Sequence, residues 1–118
     1  MKTLPIPEEE QLQALAEGLK DVYRLLREYL GDLNKVPNFG QHITVSKLNL
    51  INYLRHHPEK VQKHVILAAD ITKLHDIPAL FFDNGKWIVC WTDHGTPVGI
   101  TYFDDLPEAA ANYLMAYW

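Results

Sequence analysis

A cysteine, a histidine and an aspartate lie close together near the end of the chain and could in principle form a nucleophile with its base. Asp93 and His94 directly follow a strand-like run that contains Cys90. A reactive thiol needs an accessible, electropositive setting. Cys90 instead lies between Val89 and Trp91, which is the usual setting of a buried structural cysteine. We therefore expect no catalytic residues and no enzymatic activity.

The histidines do not have the spacing of a metal site. Two ligands on one helix face must be three or four residues apart, whereas His56 and His57 are adjacent and Pro58 separates His57 from His64. The sequence contains neither an HExxH motif nor a cysteine cluster. We expect no metal ion and no cofactor.

Acidic and aromatic residues near predicted turns form a better candidate for a binding surface. Asp83 and Asp93 lie at opposite ends of one predicted strand, too far apart for an acid–base pair. Aspartate is also a common turn former and helix cap, so these residues have a purely structural interpretation as well. Trp87 and Trp91 share one strand face, where they either fill the core or offer an aromatic contact. The predicted partner-binding residues are Asp83, Trp91, Asp93, His94, Asp104 and Asp105.

The composition indicates a globular protein and limits its partners. Of the 118 residues, 47% are hydrophobic, and we expect a single domain over residues 1–118. The net charge of −4 and the scattered basic residues argue against direct nucleic-acid binding and suit a basic protein partner. No apolar run is long enough for a membrane span or a signal peptide, and the one cysteine cannot form an internal disulfide. We expect a cytoplasmic protein that contacts no membrane.

Helical periodicity dominates the first half of the chain. Apolar residues recur every three or four positions from Leu12 to Tyr29, and Gly31 follows as a stop signal. One long helix is predicted over residues 7–30. Its apolar seam is too short for a coiled coil, so the helix is expected to lie on a core.

Two further helices are predicted after a loop. The first is capped by Thr44 or Ser46 and runs to about His56, and the second runs from Pro58 to about Ala69.

A β-hairpin is the clearest local signal. An Asn-Gly pair at residues 84–85 separates two apolar runs, which is typical of a type I′ turn. This turn places Phe82 opposite Trp87 and Leu80 opposite Val89.

The remaining elements complete an α+β fold. A looser turn over residues 93–97 leads to a third strand, Val98–Phe103, and Asp104 or Asp105 then caps a last helix. The predicted architecture is a set of N-terminal helices with a long first helix, a three-stranded antiparallel meander and a C-terminal helix.

The last third of the chain combines an Asn-Gly-Lys-Trp hairpin, an alternating aromatic strand, a glycine turn, a strand ending in an aromatic residue and an alanine-rich helix. Residues 83–115 thereby resemble the closing segment of small immunity proteins from bacterial polymorphic-toxin and contact-dependent growth inhibition systems. That segment often reads gKW.vy…eRG…..F.sE.eA..yf, and this chain has Asp93-His94 where the pattern has Glu-Arg. The matching positions are Gly85, Lys86, Trp87, Gly95, Phe103, Glu108, Ala109 or Ala110, Tyr113 and Leu114.

The resemblance implies a non-enzymatic cytoplasmic protein that binds one cognate toxin domain and neutralises it by occluding its active site or substrate channel. Many such toxins are nucleases with basic clefts, and an acidic inhibitor associates rapidly with such a surface. The resemblance implies no cofactor.

Two alternatives remain open from the sequence. One is a small adaptor or regulatory subunit that self-associates through the long first helix, at positions such as Leu12 and Leu19. The other is an enzyme centred on Cys90, His94 and Asp93. The sequence leaves the choice between a monomer and a homodimer open.

Overall fold

The computed structural model describes residues 2–118 and confirms the α+β class, with helices before and after a three-stranded antiparallel sheet. The helices are α1 (Glu8–Glu17), α2 (Leu19–Leu30), α3 (Lys47–His56) and α4 (Leu106–Leu114), and the strands are β1 (Pro78–Asp83), β2 (Lys86–Asp93) and β3 (Thr96–Phe103). Short 3₁₀ turns lie at Leu33–Lys35, Phe39–His42, Pro58–Lys60, Gln62–His64 and Ala68–Lys73. Along residues 2–118, no helix combines the length and the apolarity needed to cross a bilayer.

The single helix predicted over residues 7–30 is divided into α1 and α2 at Gly18. This glycine has φ 129° and ψ −179°, a conformation that other residues rarely adopt. α2 folds back along α1, so that the hydroxyl of Tyr29 donates to the carboxylate of Glu10 at 3.0 Å. The apolar spacing continues across the break, which is why periodicity predicted one helix. In this antiparallel arrangement the apolar faces of α1 and α2 pack into the same core.

α3 begins at the predicted cap. The Ser46 hydroxyl accepts a hydrogen bond from the Asn49 amide at 3.0 Å, and the Asn49 side chain accepts one from the Ser46 amide at 3.1 Å. This reciprocal capping box satisfies two amides that the helix leaves unpaired.

The third helix predicted over residues 58–69 is wrong. The segment contains two 3₁₀ turns and then an extended stretch, in which the Ile66 amide donates to the Leu80 carbonyl at 3.0 Å and Ile66 forms a parallel bridge with Phe81. The β-branched residues here favour extended backbone. The contact with β1, which is distant in sequence, then determines the conformation.

The hairpin between β1 and β2 has the predicted register. Phe82 pairs with Trp87 and Leu80 pairs with Val89. Asn84 and Gly85 both have positive φ, 51° and 78°, as a type I′ turn requires.

The turn between β2 and β3 is tighter than predicted. His94 and Gly95 alone form it, with φ 51° and 81°, because Asp93 pairs directly with Thr96. β3 therefore begins at Thr96 rather than at Val98. His94 takes a left-handed conformation that asparagine more often occupies, so the sequence predicted a turn here but not its two-residue form.

A β-bulge interrupts β3 at Gly99. The pairing shifts between Val89 and Trp91, and Gly99 has φ 59°. Beyond the bulge Tyr102 pairs with Ile88, so these two side chains share a face of the sheet.

Two apolar clusters cover opposite faces of the sheet. The larger one joins the four helices to one face and contains Leu80, with Trp87 and Val89 packed against it. The smaller one lies on the other face, where residues of the Ala68–Lys73 turn cover Phe81 and Cys90. Within the sheet, the buried residues of both clusters belong to β1 and β2, and no residue of β3 is buried.

Candidate functional site

The predicted acidic residues divide between the two ends of the sheet. Asp83 pairs with Lys86, and Trp87 pairs with Phe103, so Asp83 and Asp104 lie at the same end. Asp93 lies at the far end of β2, roughly 23 Å away at the usual rise per strand residue. The structure therefore does not bring the predicted binding residues together into one patch.

Two of the predicted carboxylates are paired within the protein. Asp104 forms an exposed ion pair with Lys86. Asp105 accepts a hydrogen bond from the Glu108 amide at 3.2 Å, which caps α4, and another from Arg55 at 2.8 Å. The structural interpretation of Asp105 as a helix cap is confirmed. Its replacement is expected to destabilise α4 whether or not it contacts a partner.

Trp91 is half-buried on the face of the sheet that α4 covers. Its ring contacts the ring of Tyr117 edge-on, with centroids 5.5 Å apart. Trp91 also lines a cavity of about 190 Å³ together with Phe103 and Asn112. The Asn112 amide donates to the Glu108 carbonyl at 2.9 Å and accepts from Lys47 at 2.8 Å. Trp91 therefore packs against Tyr117 within the protein, and its part in partner binding stays a prediction.

The side chains of the catalytic alternative are not assembled into a reactive pair. Cys90 is buried in the smaller cluster, and burial raises the pKa of its thiol. His94 lies in the exposed turn beyond the end of β2, roughly 13 Å along the strand direction. A thiol that stays protonated and lies far from the imidazole lacks the activation that nucleophilic catalysis needs.

The outer edge of β3 is the most exposed part of the sheet. β3 pairs only with β2, so its other edge has no strand partner within residues 2–118. Its sequence, TPVGITYF, contains no charged residue. Val98, Ile100 and Tyr102 are 42%, 42% and 62% exposed. Proteins normally protect an edge strand with charges, proline, β-bulges, covering loops or short length, because an unprotected edge pairs with other chains. β3 has Pro97 and the bulge at Gly99 but no charge, so its protection is partial.

Three potential metal ligands meet at the end of the sheet that carries the His94 turn. The rings of His75 and His94 stack with centroids 4.0 Å apart and planes 17° apart. The His94 amide donates to Nδ1 of His75 at 3.0 Å. Asp93 completes the group, and one ligand atom of each residue lies within 4.8 Å of the others. All three residues are exposed.

Sequence spacing gave no sign of this cluster. His75 precedes β1, whereas Asp93 ends β2 and His94 follows it in the turn, so only the pairing of the two strands brings the three residues together. The backbone on both sides is joined by hydrogen bonds from the Gly95 amide to the Leu74 carbonyl and from the Asp76 amide to the Thr92 carbonyl, each 2.8 Å long.

Comparison of the chain with family models, with curated protein sequences and with solved structures finds no match.

Proposed function

We propose that this protein is an immunity-type inhibitor that acts in the cytoplasm of the producing cell. It binds a cognate protein toxin domain, such as a nuclease, and neutralises it by occluding its active site or substrate channel. It has no catalytic activity and needs no cofactor for this role. The observation that carries the proposal is the uncharged, exposed edge of β3.

The edge of β3 offers two kinds of contact to a protein partner. Beyond Pro97 and the bulge at Gly99, its unpaired backbone amides and carbonyls can accept an added strand from the partner. Its exposed side chains Val98, Ile100 and Tyr102 supply apolar area, and an exposed aromatic residue is a common centre of an interface. The two together give affinity from the backbone and selectivity from the side chains.

Charge at the ends of the sheet supports a basic partner. Asp93 ends the strand next to β3 at one end, and Asp83 is exposed at the other. The whole chain carries a net charge of −4. Complementary charge mainly accelerates association and selects among partners, so binding is expected to slow as salt increases.

The alternative of a self-associating adaptor now requires a different surface. The long helix on which it depended is folded back at Gly18, and Leu12 packs against the core. The uncharged edge of β3 can also pair with β3 of a second copy. Self-association is therefore an outcome that an experiment on this edge must distinguish from toxin binding.

The proposal is tested by capturing the tagged chain from its native host at moderate salt and identifying the protein that stays bound. The expected partner is a single stoichiometric protein domain with a basic surface. When that domain is expressed alone in a sensitive host it is expected to stop growth, and co-expression of this chain is expected to restore growth. A captured domain that is harmless, or whose toxicity this chain does not relieve, would contradict the proposal. Recovery of only the chain itself, as a dimer, would favour self-association.

A further inference from the structure

We propose that His75, Asp93 and His94 form a binding site for a divalent transition-metal ion of the Zn²⁺, Ni²⁺ and Cu²⁺ class. The side-chain cluster at the turn between β2 and β3 carries this inference. It does not require the proposed toxin binding, although Asp93 and His94 also belong to the predicted partner-binding residues. Two imidazoles and one carboxylate are a ligand set that these ions favour. Ca²⁺ and Mg²⁺ prefer sites built from oxygen atoms and are not expected to bind here.

The ligand atoms of His75, Asp93 and His94 are close enough that side-chain rotation alone can bring them around one ion. Ligand atoms around a tetrahedral zinc ion lie about 3.3 Å apart, as follows from zinc–nitrogen bonds of about 2.0–2.1 Å. In the cluster they lie within 4.8 Å of one another, and the closest approach of Asp93 Oδ1 to His94 Nε2 is 3.9 Å. The stacked rings of His75 and His94 must also turn so that their in-plane nitrogen lone pairs converge on the ion. All three side chains are exposed, so no core packing opposes this rotation.

The backbone that carries the ligands is held in place. The Thr92 hydroxyl donates to the Ile77 carbonyl at 2.9 Å, and Thr92 is buried. A Cβ atom at Gly95 would lie 2.7 Å from the Thr72 carbonyl oxygen, so only glycine allows this close approach of the turn to the Ala68–Lys73 segment. Fixed backbone positions with movable side chains suit an ion that draws three ligands together.

Binding has a structural consequence at one amide. In the free protein Nδ1 of His75 accepts the hydrogen bond from the His94 amide, which places the proton of the neutral ring on Nε2. When Nε2 of His75 binds the metal, that proton is exchanged through solvent to Nδ1, which can no longer accept. The hydrogen bond from the His94 amide is therefore broken on binding.

The three protein ligands leave at least one coordination position for water or another molecule. Protons compete with the ion for the imidazole nitrogens, so the affinity is expected to fall as the pH is lowered.

The test is calorimetric titration of the untagged full chain with Zn²⁺ and, separately, with Ni²⁺ in metal-free buffer. The expected result is one ion per chain. His75→Ala and Asp93→Asn are each expected to weaken binding at least about tenfold. His94→Asn removes the imidazole while asparagine tolerates the left-handed turn conformation, and it is expected to have the same effect. His56→Ala, at an exposed histidine on α3, is the matched control and is expected to leave the affinity unchanged.

A second readout separates this site from non-specific histidine binding. At a Zn²⁺ concentration that just saturates the wild-type chain, the amide resonance of His94 is expected to shift in the wild type and to shift much less in the His75→Ala variant. Absence of binding to either ion, equal affinity in the cluster variants and the wild type, or loss of binding only in His56→Ala would overturn the proposal.

Discussion

The two edges of the sheet have opposite surroundings. At the β1 edge, Ile66 lies alongside the strand, and both faces of β1 are covered by apolar clusters. At the β3 edge no strand is added within the described residues 2–118, and no residue of the strand is buried. The same three-stranded sheet thus has one closed side and one open side.

Because of this difference, the β1 side contributes mainly to the stability of the fold and the β3 side is available for binding. Apolar area that is already buried, as at Leu80, stabilises the fold. Apolar area and backbone groups that remain exposed, as at Ile100 and Tyr102, are still free to form an interface. Substitutions on the β1 side should therefore change the free energy of unfolding, and substitutions on the β3 side should change the affinity for a partner.

The largest expected effect on stability is at the closed side. Leu80 is fully buried in the larger cluster, so Leu80→Ala removes buried area and leaves a cavity. We expect a loss of about 3 kcal/mol in the free energy of unfolding. Ile100→Ala on β3 is expected to cost less than about 1 kcal/mol because that side chain is already partly exposed. Urea unfolding of both variants and the wild type measures the two values. Similar losses for both would show that β3 contributes to the core as much as β1 does.

A smaller effect is expected on the pH dependence of the free energy of unfolding, and it arises at His64 in the segment that precedes Ile66. His64 is partly buried and its Nε2 donates to the Ala16 carbonyl at 2.7 Å. Desolvation by burial lowers the pKa of His64 below its ordinary value of 6.5 and outweighs the hydrogen bond to the Ala16 carbonyl, which acts in the opposite direction. The folded protein therefore binds this proton more weakly than the unfolded chain. The contribution of His64 to stability is fully present above about pH 6.5 and is lost as the pH falls through the folded-state pKa.

The matched variant for this prediction is His64→Gln, which keeps an N–H donor but does not titrate in this range. The free energy of unfolding of the wild type is expected to fall more steeply between about pH 7 and pH 5 than that of the variant. Parallel pH profiles would contradict the assignment to His64.

Local signals in the sequence predicted much of the fold. The Asn-Gly pair determined the hairpin register, and Ser46 and Asp105 marked the starts of α3 and α4. In each case a short-range hydrogen bond or a required backbone conformation acts within a few residues, so it can be predicted from neighbouring residues alone.

Long-range contacts determine what the sequence did not predict. The break at Gly18 lies within a periodic apolar pattern, and the extended conformation at Ile66 depends on β1. The cluster of His75 with His94 depends on the pairing of two strands, and the exposure of β3 depends on where the helices pack. None of these can be derived from local spacing. The roles proposed for Asp83, Trp91, Asp93, His94, Asp104 and Asp105 in partner binding remain predictions.

The most direct test of the central claim is the affinity of the captured toxin domain for Tyr102→Lys. Tyr102 is 62% exposed on β3, and Leu48, which is 63% exposed on α3, provides the control Leu48→Lys. We expect Tyr102→Lys to weaken binding at least about tenfold, because a charge on the open edge opposes both desolvation and strand addition. Its unfolding free energy is expected to stay within about 0.5 kcal/mol of the wild type. Unchanged affinity in Tyr102→Lys, or equal weakening in Leu48→Lys, would contradict the assignment of partner binding to the edge of β3.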